Sequence, residues 1–484
     1  MLTVLGFGMV VVFMYAIMTS RLSPMVALIT IPIVFAVIGG FADAGIGAMM
    51  LDGLRTLAPT GVMLMFAILY FGVMIDAGMF EPLVKVILRA VGGDPLRVIM
   101  GTAILAAFVS LDGDGSTTYM ITVASLLPLY KRLGIHPLNL TCITLLAGGV
   151  MNLTPWGGPL ARAASALQVD PSEIFLHALP AMTIGLVGVF GLAYVLGYKE
   201  RQRLGIAVPS LRSAASVDPI YSLSVQCGGV DAKAAVALPY VHEPTTDVDR
   251  AAASAIRKPA DSERAALVTC AENLDLRRPK LLWFNVALTA ALMIALITAI
   301  LPLPVLFMAA LAIALVANYP QVEEQRRRMA AHSKNVIAVV SLIFAAGIFT
   351  GILSGTGMVR AMSESFLTVI PESLAPFLAP ITALVSLPLT FFISNDAFYF
   401  GVLPVMAEAA NTHGISDLQM AVASLMGQPV HLLSPLVPST YLLVGLAGVD
   451  FGDHQRFTLK WAIAICLAMS MAALLFGAFP FSSN

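Results

Sequence analysis

Ten apolar runs of roughly bilayer-crossing length, set almost end to end, leave this chain little choice of fold. A spanning helix needs about 20 mostly apolar residues. Such runs lie near 2–19, 22–40, 59–79, 137–167 and 173–198, and again near 281–300, 303–318, 335–354, 418–448 and 457–478. Charged residues make up 11% of the chain, against roughly 25% in soluble domains. The deficit covers nearly the whole length, which excludes a soluble enzyme with one anchor. The expected class is therefore an all-α polytopic membrane protein. The opening stretch reads as its first membrane helix and not as a signal peptide, because no basic region precedes it and no A-x-A site follows. Lys and Arg total 27 against 28 Asp and Glu, so the totals point to no nucleic-acid partner. Cys142, Cys227, Cys270 and Cys466 have no paired spacing, and neither a disulfide framework nor a zinc site is expected.

The stretch 199–280 has no sustained apolar run and is rich in Ala, Ser, Pro, Asp and Arg. It reads as a water-exposed, partly disordered linker between a first membrane repeat, 1–198, and a second, 281–484. An offset of about 280 superposes the halves. Gly72, Gly78 and Met79 fall on Gly351, Gly357 and Met358; Tyr119 falls on Tyr399; Gly134-Ile135 falls on Gly414-Ile415. Thr154-Pro155 falls on Ser434-Pro435, and Val169-Asp170 on Val449-Asp450. Internal repeats of this kind mark secondary transporters. If each half crosses five times and carries one re-entrant hairpin, Lys85, Arg89, Lys131, Arg132, Arg201, Arg277 and Arg326–Arg328 fall on one side with the linker. The positive-inside rule makes that side cytoplasmic. An odd number of crossings makes the second repeat inverted relative to the first.

Two further segments, 96–131 and 374–410, are apolar at both ends and polar in the middle. At the centre of the first stand Asp112, Gly113, Asp114, Gly115, Ser116, Thr117 and Thr118. At the centre of the second stand Ser394, Asn395 and Asp396. A carboxylate at bilayer depth costs about 2.5–3.5 kcal/mol or more, so a cation, a proton or internal donors must meet it. Two broken helices accompany these tips. Asn152, Thr154, Pro155, Gly157, Gly158 and Pro159 interrupt one, with Arg162 following. Gln428, Pro429, His431, Ser434, Pro435 and Pro438 interrupt the other. Prolines free backbone carbonyls, and unwound backbone at depth is tolerated where it lines a cavity; simple kinking is the alternative. Arg162 either forks a substrate carboxylate or snorkels to the outer interface. His431 either relays a proton or is a neutral, hydrogen-bonded side chain. Asp76 and Glu408 read as interfacial.

Four strings resemble the citrate–metal–proton symporter family, CitMHS, of the ion transporter superfamily. They are SLDGDGSTTYM at 110–120, NLTPWGGPLARAA at 152–164, SNDAFYFGVLP at 394–404 and GQPVHLLSPLVPSTYLLVGL at 427–446. The resemblance implies symport of protons with citrate complexed to Mg²⁺ or Ca²⁺, in the bacterial inner membrane. It also implies an elevator-type carrier working as a homodimer among membrane lipid. On that reading Ser116, Thr117, Thr118, Asn152, Thr154, Arg162, Ser394, Asn395, Asp396, Gln428, His431 and Ser434 bind substrate. Asp112 or Asp114 takes the proton, with His431 second, and the two aspartates also suit the metal of the complex. Chelation brings citrate to a charge of about −1 and lowers the cost of burying it. A sodium- or proton-coupled carrier of another carboxylate and a cation/proton antiporter are the alternatives. An ion channel fits poorly, because a channel needs a continuous path. An enzyme fits worst, since no Ser/His or HExxH constellation is present.

Overall fold

The computed structural model describes residues 1–19, 21–42, 45–91, 93–113, 115–205, 276–298, 300–369 and 373–482. All regular structure among them is helical. The first half runs α1 (Leu2–Met18), α2 (Pro24–Ile38), α3 (Ile46–Asp76), α4 (Glu81–Val91), α5 (Pro95–Val109), α6 (Gly115–Leu133), α7 (Pro137–Met151), α8 (Gly158–Leu167) and α9 (Pro171–Arg203). The second runs α10 (Leu282–Ile297), α11 (Leu303–Asn318), α12 (Val322–Gly355), α13 (Met358–Val369), α14 (Leu378–Phe392), α15 (Leu403–Asn411), α16 (Asp417–Ser424), α17 (Gln428–His431), α18 (Pro438–Ala447) and α19 (Phe451–Leu475). Among the described residues seven helical stretches are long and apolar enough to cross a membrane. Two of these, Pro95–Asp112 and Ala375–Phe392, are the first arms of the interrupted segments. Several expected crossings are shorter helices, such as Pro24–Ile38, or helices split at a break.

Helix starts follow local chemistry. Ser23, Asp94 and Asp170 each precede a proline, and each side chain accepts a hydrogen bond from a backbone amide of the first turn. Proline at the first helical position loses no bond there, and the cap satisfies an orphan amide. Five helices differ in extent or existence from the sequence expectation. Helices α4 and α13 are short and amphipathic, so no spanning-length run announces them. Helices α3 and α12 start well before residues 59 and 335, because charged turns extend them beyond the apolar run. Those turns hold Asp52–Arg55 at 3.2 Å in α3 and Glu323–Arg327 at 3.5 Å in α12. Helix α9 likewise continues past 198 to Arg203. The linker residues 206–275, with Cys227 and Cys270, lie outside the described residues.

The most extensive packing joins α3 to α12. They lie antiparallel: Gly53 meets Gly347 and Gly351, Gly61 meets the Phe344 ring, and Gly72 meets the His332 ring. At their far end Asp76 accepts from Arg328 at 3.3 Å and lies 2.9 Å from His332 Nε2. Gly347, Gly351 and Gly355 recur one turn apart, the small-residue spacing that lets membrane helices touch backbone to backbone. Helix α2 packs on α12 and α11 on α3, so each long helix is flanked by the short second helix of the other half.

Basic residues gather at one end of the bundle. Arg201 pairs with Asp94, Arg277 with Glu81 at 2.5 Å, and Arg203 with Glu200 at 2.6 Å. Glu200 also accepts from Asn139 at 3.1 Å, and Arg278 donates to the Asn318 carbonyl at 2.9 Å. These contacts join the starts of α4, α5 and α7 to the ends of α9 and α11 and the start of α10. Burial, then the Asp76 carboxylate, pushes the Tyr319 phenol up to about 12, so it stays a donor to the Leu276 carbonyl at 3.1 Å. Elsewhere large apolar side chains such as Val11, Val34, Val187, Ile313 and Met471 stand exposed, as on a surface facing lipid.

Residues matched at the 280-residue offset occupy matching local geometry. Gly78 and Gly357 are both left-handed (φ 82° and 72°), as are Gly134 and Gly414 (67° and 77°). Asp170 and Asp450 both cap a long final helix. Tyr119 and Tyr399 are both fully buried.

Candidate substrate site at the helix breaks

The two interrupted segments fold as helical arms that meet at a tip. In the first, α5 passes through a 3₁₀ turn, Ser110–Asp112, into Gly113 (φ 76°), and α6 begins at Gly115. A Cβ on Gly113 would lie 3.0 Å from the Trp156 ring and 3.3 Å from its carbonyl oxygen, so this turn needs glycine for both conformation and space. Ser110 and Thr118 hydroxyls pair across the arms at 3.2 Å. Trp156 donates its indole N–H to the Leu111 carbonyl at 2.7 Å. Asp112 is buried at 7% exposure, and Ser116 and Thr117 are half-buried, each engaged by neighbours. Asp114 lies outside the described residues.

In the second tip, α14 ends at Phe392 and Ile393 is extended. Ser394 Oγ then accepts from the Ala397 amide at 3.1 Å, opening a π-helical turn, Ala397–Val402, that leads into α15. The broken helices lie against these tips. Helices α7 and α8 are separated by the turn at Asn152–Gly157. Helices α17 and α18 are separated by the turn at Leu432–Val437, where Ser434 Oγ accepts from the Leu436 amide at 3.1 Å. Thr440 donates back to the Leu432 carbonyl and closes that turn.

The tips pair crosswise. The start of α6 lies beside the start of α18, where a Cβ on Gly115 would sit 3.6 Å from Ser439 Oγ. The start of α8 lies beside the second tip, where Arg162 Nε donates to Asp396 Oδ1 at 2.6 Å. Helix α7 touches α17 directly: a Cβ on Gly149 would sit 2.7 Å from the Pro429 Cα. Helix N-termini carry positive partial charge and unpaired amides. One pair of them, the starts of α6 and α18, lies side by side here, and the Arg162 guanidinium bridges the halves.

Most sequence-predicted residues fall in this crossing. Gln428 donates to the Tyr399 hydroxyl at 2.9 Å, and that hydroxyl faces the Ser424 carbonyl at 3.4 Å. His431 Nδ1 lies 2.7 Å from the Thr390 carbonyl; a carbonyl only accepts, so Nδ1 carries the proton. Arg162 and Asp396 both act electrostatically on His431. Arg162 does not snorkel: its side chain is 23% exposed and turned to Asp396. Among the described residues, the buried oxygens without a hydrogen-bond partner include Thr154 Oγ1, Asn395 Oδ1 and Gln428 Oε1, besides Thr122 Oγ1 on α6 and Thr144 Oγ1 on α7. An unpaired buried polar atom costs about 1–3 kcal/mol, and three of them sit at the breaks and a tip. Asn152 closes the end of α7. Asp76 is held at the basic end by Arg328, and Glu408 stands on α15.

Sequence reasoning missed Tyr399, Thr390 and Trp156. Tyr399 had a signal, since it marks the repeat and is aromatic beside a polar tip. Thr390 acts through its carbonyl, and no side-chain motif reports that. Among the described residues no group of three His, Cys, Asp or Glu side chains could hold a metal ion. A cavity of about 230 Å³ lies apart from the crossing, between α3 and the α8–α9 junction, lined by Thr56, Thr60, Gln168, Asp170 and Leu303.

Residues 2–427 match the CitMHS family, described as citrate transporter. The chain is similar to a protein of Bacillus subtilis (strain 168) named citrate transporter, at 53% identity over 99% of this chain and 100% of that one. It is 46% identical to the Mg(2+)/citrate complex secondary transporter of the same organism, over the full length of both. Among solved structures it is similar to the YdaH transporter of Alcanivorax borkumensis, at 14% identity and TM-score 0.46 over 90% of this chain and 88% of that one. The chain thus belongs to the CitMHS citrate transporter family, as a multi-pass protein of the bacterial inner membrane and not an enzyme.

Proposed function

We propose that the protein carries citrate as a complex with Mg²⁺ or Ca²⁺, in symport with protons. The observation that carries this reading is the trio of unpartnered buried oxygens on Thr154, Asn395 and Gln428. Thr154 lies in the break between α7 and α8, Asn395 in the second tip next to Asp396, which holds Arg162, and Gln428 at the start of α17. A hydrated or chelated anion gives those oxygens donors and gives Arg162 a carboxylate. The 46%-identical relative, named for the Mg(2+)/citrate complex, supports the metal as part of the cargo. Chelation brings the cargo to about −1, so one guanidinium is a sufficient counter-charge.

Ser116, Thr117, Thr118, Asn152, Thr154, Arg162, Asn395, Gln428, His431 and Ser434 form the substrate site in this proposal. Ser394 and Ser434 shape the turns by accepting backbone amides. Asp112 takes the coupled proton or meets the metal, together with Asp114. His431 is the second proton site, through Nε2. The halves act as inverted repeats. The antiparallel α3–α12 pair, each flanked by the other half's second helix, is the arrangement that inversion produces. In the elevator version α1–α3 and α10–α12 stay fixed and dimerise, and the tips and broken helices move past them. The linker, 199–280, lies in the cytoplasm with the basic end.

The test is uptake of labelled citrate into vesicles holding the purified protein, with Mg²⁺, Ca²⁺, Na⁺ and a pH gradient varied singly. Uptake should require one divalent cation, rise with an inward proton gradient and ignore Na⁺. Uptake indifferent to every divalent cation rules the proposal out. Gln428→Leu should lower uptake about tenfold, because it removes the Tyr399 bond and the free oxygen together while keeping the volume. Unchanged uptake would remove Gln428 from the site.

A further inference from the structure

Arg162 and Asp396 come from opposite halves, and both sit at the crossing where cargo would bind. The bond runs from Nε to one carboxylate oxygen at 2.6 Å. It leaves the second carboxylate oxygen and the terminal nitrogens outside that contact. Both side chains are partly accessible, at 23% and 13%, whereas the neighbouring Gln428 and Tyr399 are sealed. The pair is thus a one-pronged contact that leaves part of both side chains accessible. A free carboxylate that presents both oxygens can take the guanidinium in a two-pronged geometry, which is stronger and more specific.

We infer that Asp396 stands in for the substrate carboxylate in the empty carrier, and that Arg162 exchanges Asp396 for the cargo on loading. This rests on the carrier reading above and assigns Asp396 a role other than cargo ligand. A symporter completes its cycle by returning empty. A bare guanidinium is costly at membrane depth, so an empty site with Arg162 unpaired returns slowly. With Asp396 on Arg162 the empty site is neutral as a pair. When cargo is bound, Arg162 is satisfied by the cargo, the released Asp396 carboxylate takes a symported proton, and the loaded carrier crosses with neither group left as a bare charge. Exchange of cargo for cargo involves only loaded crossings, whereas net uptake requires the empty return.

Two assays on the reconstituted protein separate these steps. Net uptake is measured as labelled Mg–citrate entering empty vesicles. Exchange is measured as the same label entering vesicles preloaded with unlabelled Mg–citrate. In Asp396→Asn the ratio of net uptake to exchange should fall by about tenfold or more, and Asp396→Glu should restore it. Calorimetry on the detergent-purified variant should show Mg–citrate binding about threefold tighter or better, because the internal competitor is gone. Equal losses in both assays overturn the inference. So does weaker binding with a steeper Mg²⁺ requirement, which makes Asp396 a ligand of the metal. Should Asp396→Asn elute as aggregate, Asp396→Ser carries the same binding measurement, with the same two readings. A wild-type protein that moves no citrate strikes at the carrier reading itself. A wild-type protein that moves citrate, beside a variant of unchanged ratio, strikes only at the role of Asp396.

Discussion

Arg162→Gln should lower Mg–citrate uptake by about 100-fold with the protein still inserted and monodisperse. Truncating one partner of a hydrogen-bonded charge pair costs about 2–5 kcal/mol where the pair is buried; this partly accessible pair falls at the low end, and each 1.4 kcal/mol is about tenfold. Arg162 stands in the first turns of α8 and reaches the other half at 2.6 Å, so its loss removes the positive charge on which the crossing converges. Arg162→Lys keeps the charge but loses the planar fork, and its activity should fall between the two. Uptake is the measurement, with gel filtration as the check on folding. Full activity in Arg162→Gln would mean that the bond to Asp396 is purely structural and that cargo binds without it.

Gly53→Val should all but abolish recovery of folded protein from the membrane. A Cβ at Gly53 would lie 1.9 Å from the Gly347 carbonyl oxygen and 3.0 Å from the Gly351 Cα. Both obstacles are backbone and cannot rotate away, so α3 and α12 must separate along their whole contact. Overpacking costs typically 1–3 kcal/mol where side chains can yield, and here about 3 kcal/mol is a floor. The loss should appear as a shift to aggregate on fluorescence-detected gel filtration and a lower Tm. Gly47 has nothing within 4 Å of its added Cβ, so Gly47→Ala is the matched control and should leave both measurements near wild type.

Apolar runs of spanning length were legible because bilayer thickness dictates them, and the polar tips were legible because polarity at depth is expensive. Asp396, Arg162 and Gln428 stood out in the sequence for that reason, and the first two meet in the structure. Their partners did not stand out. Nothing in the sequence assigns Arg162 to Asp396, 234 positions away, since pairing across two halves depends on how the halves pack. Helices α4 and α13 escaped notice because their apolar residues occupy one stripe, and a window tuned to unbroken hydrophobicity averages such a stripe away. The early starts of α3 and α12 escaped notice because charged turns outside the hydrocarbon layer carry no apolar signal. The offset of about 280 was readable because glycines at positive φ and capping aspartates are needed at fixed points, and substitution there is strained.

Gly149 and Pro429 press together so closely that a single methyl group would not fit between α7 and α17. Water cannot thread a seam that tight, so no file of solvent runs through the point where the two broken helices cross. Whatever binds beside that seam has no passage between α7 and α17 at that point. Gly149→Ala should therefore force α7 and α17 apart and lower the Tm, with Gly47→Ala again as the control.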